Sequence, residues 1–258
     1  EKMEKYQNEF LNSPAEFYLL NRGIPINIAT EAGCGYAGTW EHWEKTADTW
    51  KLQGQDKRVV FPISDQNGKV IAIHGRAIDE QHLASSKITR GDKSQGLFLS
   101  DADVLDNGVI AVCEGAIDAM ALAACGISAV AMTGTTPPDW FYRKMSFKRV
   151  LLATDADEAG DKAAFRLKTE LSSRGAKVIR LRPKGAKDWG EVLENIGENQ
   201  LSQNLSAFKE KLSDGERIRQ VNKLLEHGRT ELAEFAIGLI KDGEIRENFR
   251  FQRLCLEN

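Results

Sequence analysis

The sequence has few cysteines, and none of them lies in a metal-binding pattern. Cys34, Cys113, Cys125 and Cys255 are the only four in 258 residues, and no two of them have the Cys-x-x-Cys spacing, which argues against a zinc site. Cys113 and Cys125 lie within apolar patterns, so we expect buried, reduced thiols. Reduced thiols suit a cytoplasmic protein.

Long apolar runs and an excess of positive charge are also missing. No run is long enough to span a bilayer and no signal-peptide pattern opens the chain, so we expect no membrane contact. The net charge of −3 argues against tight, non-specific binding to duplex DNA, although it leaves room for a local basic groove. The chain begins at Glu1 rather than Met, so we expect a piece of a longer protein.

What the sequence does have is short apolar runs that end abruptly in acids. Residues 109–113 (VIAVC) end in Glu114-Gly115, and residues 149–154 (RVLLAT) end in Asp155-Ala156-Asp157. Such runs are typical of buried parallel strands. A helical pattern and a third apolar run lie between them, and this alternation predicts an α/β fold with a mostly parallel sheet.

These two strand ends would place three carboxylates on one rim of the sheet. The carboxyl ends of parallel strands meet at one edge, where such sheets bind ligands. Glu114, Asp155 and Asp157 would repel one another there, so they imply a cation among them, most simply Mg²⁺. An Asp-x-Asp pair alone is weak evidence, because a helix N-cap also explains Asp157.

At these residues the chain resembles the TOPRIM module shared by primases and topoisomerases. Residues 129–135 (AVAMTGT) and 154–164 (TDADEAGDKAA) are similar to DnaG-type bacterial primases, as is the stretch at 18–24 (YLLNRGI). The resemblance covers residues 13–196. It implies the RNA polymerase core of a primase from a bacterium, phage or plasmid.

The resemblance divides the chain into three parts. Residues 1–105 would form a small, basic, mixed α/β N-terminal subdomain, residues 106–196 the TOPRIM domain, and residues 197–258 a helical segment, so the class is α/β, or α+β overall. Within the first part, Ser13-Pro14 predicts a helix start and Asn67-Gly68 predicts a hairpin turn. We expect residues 197–215 to be a polar connector.

Four basic residues of the N-terminal subdomain match basic positions of the family. The resemblance implies that Arg58, Arg76, Lys87 and Lys93 contact nucleotide phosphates or the template backbone. From spacing alone, a solvated loop and hairpin edge would be the better explanation. The resemblance reverses that preference most clearly for Lys87 and Lys93.

The sequence departs from the primase pattern after the strand expected at 177–181. The family presents a second acidic pair there, Asp-x-Asp, whereas this chain has Asp188 followed by Gly190. The resemblance implies that Asp155, Asp157 and Asp188 hold Mg²⁺ or Mn²⁺, and that Glu114 helps to hold the ion or acts as a base. The missing acid leaves one metal position open.

The sequence is compatible with three functions. The resemblance implies a DNA-directed RNA polymerase (a primase) that makes short RNA primers from nucleoside triphosphates on a single-stranded DNA template in the cytoplasm. A replicative helicase would be a further partner, through regions outside this chain or at its C-terminal end. The second possibility is a TOPRIM nuclease or topoisomerase, although a type IA topoisomerase needs a large tyrosine-bearing domain. The third, favoured by Gly190, is a nucleic-acid-binding module of a mobile element with weak or no catalysis.

Overall fold

The computed structural model describes residues 2–47, 49–79, 85–134, 136–247 and 249. Cys255 and residues 80–84, which precede Lys87, lie outside these ranges. The helices are α1 (Lys2–Asn8), α2 (Pro14–Asn21), α3 (Ile26–Glu31), α4 (Ala116–Ala124), α5 (Asp139–Lys144), α6 (Glu158–Ser173), α7 (Trp189–Leu205), α8 (Asp214–Glu226) and α9 (Thr230–Gly238). The strands are β1 (Gly35–Lys45), β2 (Trp50–Ser64), β3 (Val70–Ala77), β4 (Lys87–Gly91), β5 (Phe98–Leu99), β6 (Val109–Cys113), β7 (Ala129–Ala131), β8 (Arg149–Leu152) and β9 (Lys177–Arg180).

The first sheet is an antiparallel meander in the order β1-β2-β3-β4. The predicted hairpin lies at its centre, where Gly68 adopts a φ of +78° that glycine tolerates without steric cost. The predicted N-cap is also present, since the Ser13 hydroxyl accepts from the backbone N–H of Ala15 and Glu16. Two backbone hydrogen bonds between Ser64 and Leu97, at 2.8 and 2.9 Å, join this sheet to the segment that enters the second one.

The second sheet has the order β5-β7-β6-β8-β9, and all its strands are parallel except the edge strand β5. Helices cover both faces, as buried parallel strands require. Along β6, Ala111 and Cys113 pack in the core that contains α4 and α7, whereas Ile110 and Val112 pack with α5 and α6. The predicted α/β class is confirmed, and the sheet places the ends of β6 and β8 side by side.

The prediction of a polar connector at residues 197–215 was wrong over residues 197–205. Helix α7 continues past a kink at Gly197, where φ is +73°, to Leu205. Leu201 and Leu205 lie one helical turn apart and are both buried in the core beside α4. Two leucines in a polar stretch were too weak a pattern to predict a helix, but their spacing is the one that places both side chains on the same face.

Helices α8 and α9, within the predicted helical segment, pair as a hairpin and pack around Phe147. Glu216 of α8 connects this hairpin to the second sheet. Its carboxylate forms an ion pair with Lys177 of β9 and lies 3.3 Å from Nη2 of Arg149 of β8. Its hydrogen bonds, that from Lys177 above all, lower the pKa of Glu216 to about 2. No helix in the described ranges is both long and apolar enough to cross a membrane.

Candidate active site

A cavity of about 400 Å³ lies between the two sheets. On one side it is lined by side chains of the meander, and on the other by the segments that follow β6, β7 and β8 and precede α7. The acids and bases among its lining residues are Arg22, His74, Arg76, Lys87, Glu114, Asp118, Asp155, Lys187 and Asp188. One wall is therefore rich in cations and the opposite wall in carboxylates.

The carboxylate wall contains three of the four acids expected from the sequence. Glu114 follows β6, and its Oε1 accepts the backbone N–H of Asp155 at 3.2 Å. Asp188 is the N-cap of α7 and accepts the N–H of Glu191 at 2.8 Å. Burial raises the pKa of Asp155 to about 6, and the charges of Glu114 and Asp188 add to the effect. Such a shift marks a site where carboxylates are crowded without enough compensating charge.

Asp157, the fourth predicted acid, has a different environment. It is the N-cap of α6, and its Oδ1 accepts the N–H of Gly160 at 2.9 Å. Its other oxygen lies 3.9 Å from Nζ of Lys187, and Asp157 is not among the residues that line the cavity. The capping interaction leaves Oδ2 as the oxygen that could bind a cation.

Asp118 is an acid of this site that our sequence reasoning missed. It lies one helical turn after Glu114, is 8% exposed, and accepts the N–H of Gly190 through Oδ1 at 3.0 Å. Burial raises the pKa of Asp118 to about 7, with a further contribution from the charge of Asp188. The available signal was a single acid within the otherwise apolar run of α4, because a buried charge needs a partner.

The donor set fits a hard divalent cation in its chemistry. All the acids present oxygen ligands, which Mg²⁺ and Mn²⁺ prefer, and a cation would relieve the repulsion that raises the pKa of Asp155. Among the residues that the structure describes, no three aspartate, glutamate, histidine or cysteine side chains are arranged around one point suitable for a metal ion. The acids of the cavity therefore lie on one wall without forming a closed cage.

The cationic wall contains two of the four predicted basic residues. Arg76 and Lys87 are cross-strand partners on β3 and β4, and both line the cavity. His74, two residues before Arg76, is hydrogen-bonded through Nδ1 to Thr89 at 2.8 Å. Burial lowers the pKa of His74 to about 4, and the positive charges of Lys93, Lys87 and Arg76 add to the effect. Lys93 itself donates to the backbone carbonyl of Thr133 at the cavity edge.

The assignment of Arg58 to phosphate binding was wrong. Arg58 is 0% exposed, and its guanidinium forms a bidentate pair with Asp56, from Nε to Oδ1 at 2.8 Å and from Nη2 to Oδ2 at 2.7 Å. Nη2 also donates to the carbonyl of Ser85 at 3.0 Å. With its donors committed inside the first sheet, Arg58 cannot reach a ligand in the cavity.

The raised pKa values predict that the metal-free protein becomes less stable as the pH rises. In the unfolded chain Asp118 and Asp155 lose their protons near their ordinary values, whereas the folded protein holds these protons to about pH 7 and pH 6. The folded state therefore binds more protons between about pH 4 and pH 7, and the free energy of unfolding falls across that window. We expect a loss of about 1–3 kcal/mol between about pH 5 and pH 8. The lowered pKa of His74 acts in the opposite direction, but its gain is complete by about pH 6.5.

Urea denaturation in chelator over this pH range measures the effect. In Asp118→Asn the free energy of unfolding should fall less steeply above about pH 6.5. Asp103 is exposed, so Asp103→Asn should give the same pH dependence as the parent. A free energy of unfolding that rises from pH 6.5 to pH 8 in the parent would contradict the prediction.

Known proteins share parts of this sequence and this geometry. The Toprim-like family matches residues 111–193. A DNA primase of Legionella pneumophila is 32% identical over 179 residues, which are 58% of this chain and 31% of that protein. A DNA primase domain from Pseudomonas aeruginosa is 26% identical with a TM-score of 0.63, covering 98% of this chain and 92% of that one. The structure of a DnaG primase catalytic domain bound to single-stranded DNA is 20% identical with a TM-score of 0.62, covering 97% of this chain and 94% of that one.

These similarities confirm the resemblance to the DnaG-type primases and to their TOPRIM domain. The agreement extends over nearly the whole chain in the solved structures, so it includes the meander as well as the parallel sheet. The chain spans less than half the length of the curated relatives that it matches. For this chain, the activity of these longer proteins is therefore a proposal.

Proposed function

Because this chain has the fold of a DnaG-type primase core, we propose that it is the catalytic core of a DNA primase. It would join nucleoside triphosphates into short RNA primers on a single-stranded DNA template, as a nucleotidyltransferase of a cytoplasmic replication system. The observation that carries the proposal is the cavity in which Arg76 and Lys87 face Glu114, Asp155 and Asp188. Nucleotidyl transfer needs placement and neutralisation of phosphate charge more than covalent chemistry from the protein.

Asp155 and Asp188 of the carboxylate wall would hold Mg²⁺ or Mn²⁺ together with Asp157, which follows Asp155 by two residues. Bound there, the ion would neutralise triphosphate charge and activate the attacking hydroxyl. Glu114 orients Asp155 through the backbone hydrogen bond described above. Asp118 keeps the N-terminus of α7, and therefore Asp188, at the rim through its bond to Gly190.

The cationic wall would bind the phosphates that the carboxylates repel. Arg76 and Lys87 have no ion pair among the described residues, so their charge is available in the cavity. His74 stays uncharged at neutral pH, since the pKa of this buried imidazole lies near 4. It can therefore contact a base or sugar edge without adding another positive charge. A replicative helicase as a partner stays a prediction.

A primer-extension assay tests the proposal. The protein is given a single-stranded oligonucleotide template, a dinucleotide primer and nucleoside triphosphates, with Mg²⁺, with Mn²⁺ or with chelator. We expect extension with either metal and none with chelator. Shortening of the template would instead indicate a TOPRIM nuclease.

The second candidate is a nucleic-acid-binding module with weak or no catalysis. Gly190 favours it, because this position offers no second carboxylate beside Asp188. A Cβ there would lie 3.0 Å from Cγ2 of Ile117, so the site is also shaped for glycine. Template binding without extension by either metal would favour this candidate over the primase.

Removing Lys87 of the cationic wall, or Lys93 near it, should weaken binding of the single-stranded template and flatten its salt dependence. For Lys87→Ala we expect the slope of log affinity against log salt to decrease by about 0.7, the value for one phosphate contact on a single strand. Lys93→Ala should act in the same direction, but its hydrogen bond to Thr133 makes part of its role structural. Fluorescence anisotropy at several salt concentrations measures the slope.

The matched control is Lys69→Ala, which removes an exposed lysine of the same sheet at the hairpin turn, away from the cavity. Its slope should equal that of the parent. Equal slopes for Lys87→Ala and the parent would show that Lys87 is only a solvated surface residue.

A further inference from the structure

The backbone that precedes Asp155 is held by one arginine of the neighbouring strand. Arg180 ends β9, and its Nη1 donates to the carbonyl oxygens of Leu152 and Thr154, both at 3.0 Å. Its Nη2 donates to the carbonyl oxygen of Asp155 at 2.9 Å. A single guanidinium thus binds three carbonyls at the point where β8 ends and the loop to α6 begins.

A second arginine extends this arrangement by one residue. Arg182 donates from Nη2 to the carbonyl oxygen of Ala156 at 2.8 Å. Asp161 of α6 lies between the two arginines, 2.9 Å from Nη2 of Arg180 and 3.2 Å from Nη2 of Arg182. The carbonyls of residues 154, 155 and 156 are therefore all bound to guanidinium groups, and Asp161 braces those groups.

The opposite edge of the loop is fixed as well. The N–H of Asp155 donates to Glu114, and the N–H of Ala156 donates to the carbonyl oxygen of Lys187 at 2.7 Å. The start of α6 is packed against this loop so closely that a Cβ on Gly160 would lie 2.2 Å from the carbonyl oxygen of Asp155. Arg180 and Arg182 supply the donors on the side that these contacts leave open.

An arginine suits this task better than a lysine. Its planar guanidinium carries five N–H donors in a fixed fork, so it can satisfy several carbonyls in different directions at once. A lysine retains the charge but is a point donor on a flexible stem. Arg180→Lys therefore removes the geometry while it preserves the charge near the carboxylates.

We infer that Arg180 is a positioning residue for the carboxylate wall, braced by Arg182 and Asp161. By fixing the carbonyls of the loop, it sets the direction in which the Asp155 side chain enters the cavity. The inference depends on the proposed function only for the identity of what Asp155 binds. The structure of the loop itself can be tested separately.

Two measurements on the full chain test the inference with Arg180→Lys. Hydrogen–deuterium exchange of peptides that contain residues 153–157 should be faster than in the parent, because the loop that carries the N–H groups of Asp155 and Ala156 opens more often once its carbonyls lose the guanidinium donors. Mn²⁺ affinity, measured by calorimetry with the metal alone, should be about tenfold weaker, the lower end of the range for residues that orient metal ligands. The matched control is Arg174→Lys, at the other end of α6, where the arginine lies over the ring of Tyr142; both quantities should equal those of the parent.

The outcomes separate this inference from the proposed function. Unchanged exchange at 153–157 in Arg180→Lys would overturn it, and so would faster exchange with unchanged Mn²⁺ affinity. If the parent bound no Mn²⁺, the proposed metal site would fail, and the exchange comparison would still decide whether Arg180 holds the loop. Should Arg180→Lys fold poorly, Asp161→Ala leaves Arg180 in place but removes its brace, and it should show the same local increase in exchange to a smaller extent.

Discussion

Glu114→Gln and Asp155→Asn should each reduce primer synthesis by about 10³-fold or more while the protein stays folded. A bound metal ion contributes several kcal/mol to the stabilisation of charge in the transition state, and about 4 kcal/mol corresponds to that factor. Neither substitution should harm the fold. In Glu114→Gln the new amide oxygen could still accept the N–H of Asp155, and removing either charge relieves the repulsion between the two carboxylates.

Initial rates of primer extension at saturating template measure the loss of activity. Thermal denaturation in chelator measures the effect on stability. Melting temperatures equal to or above that of the parent are expected, since like-charge repulsion is reduced. Glu170→Gln, on the exposed side of α6, should leave both quantities unchanged. Asp188→Asn should cost less activity than Asp155→Asn, because the second acidic position beside it is already Gly190. Full activity of either main variant would show that the substituted carboxylate has no catalytic role.

The meeting of Glu114 and Asp155 was predictable because it depends only on sheet topology. Both residues directly follow short apolar runs, and neighbouring parallel strands bring such positions to one edge. The structure shows β6 and β8 as neighbours in register, with Val112 opposite Leu152. Asp188 could be expected at the same edge only through the resemblance, because no pattern in its own segment places it there.

Asp118 was not predictable in the same way, because its environment depends on how two helices pack. The acid lies on α4, but it becomes buried only when the N-terminus of α7 covers it and Gly190 donates to it. Nothing near residue 118 specifies that contact. Gly190, which looked like a missing metal ligand, is also the residue whose N–H satisfies this buried carboxylate.

Arg58 shows why a basic position in a strand cannot be assigned from sequence alone. Residues two apart in a strand lie on the same face, so Asp56 was always available as its partner. Whether side chains on that face are open to a ligand or buried depends on which other residues cover them. Here Trp40 covers it, with its ring 5.7 Å from Cζ of Arg58, and both members of the ion pair are buried.

Arg58→Ala should therefore lower the free energy of unfolding by about 3–5 kcal/mol, the usual cost of removing one partner of a buried ion pair. The variant would leave the Asp56 carboxylate buried without its bidentate donor. Burial acts to raise the pKa of Asp56, but the hydrogen bonds from Arg58 and His42 outweigh it and hold that pKa below its ordinary value. Without Arg58, only His42, whose Nε2 lies 3.0 Å from Oδ2, would oppose the effect of burial, and Asp56 would have to take up a proton or draw in water.

The matched control for Arg58→Ala is Arg76→Ala, which removes an arginine of the adjacent strand that lines the cavity instead. Urea denaturation should show a loss below about 1 kcal/mol for Arg76→Ala, as for most surface substitutions, while template and nucleotide binding weaken. Folded Arg58→Ala protein should keep the binding that Arg76→Ala loses. A small stability loss for Arg58→Ala together with weakened phosphate binding would show instead that Arg58 belongs to the cationic wall, because a buried structural arginine cannot produce that combination.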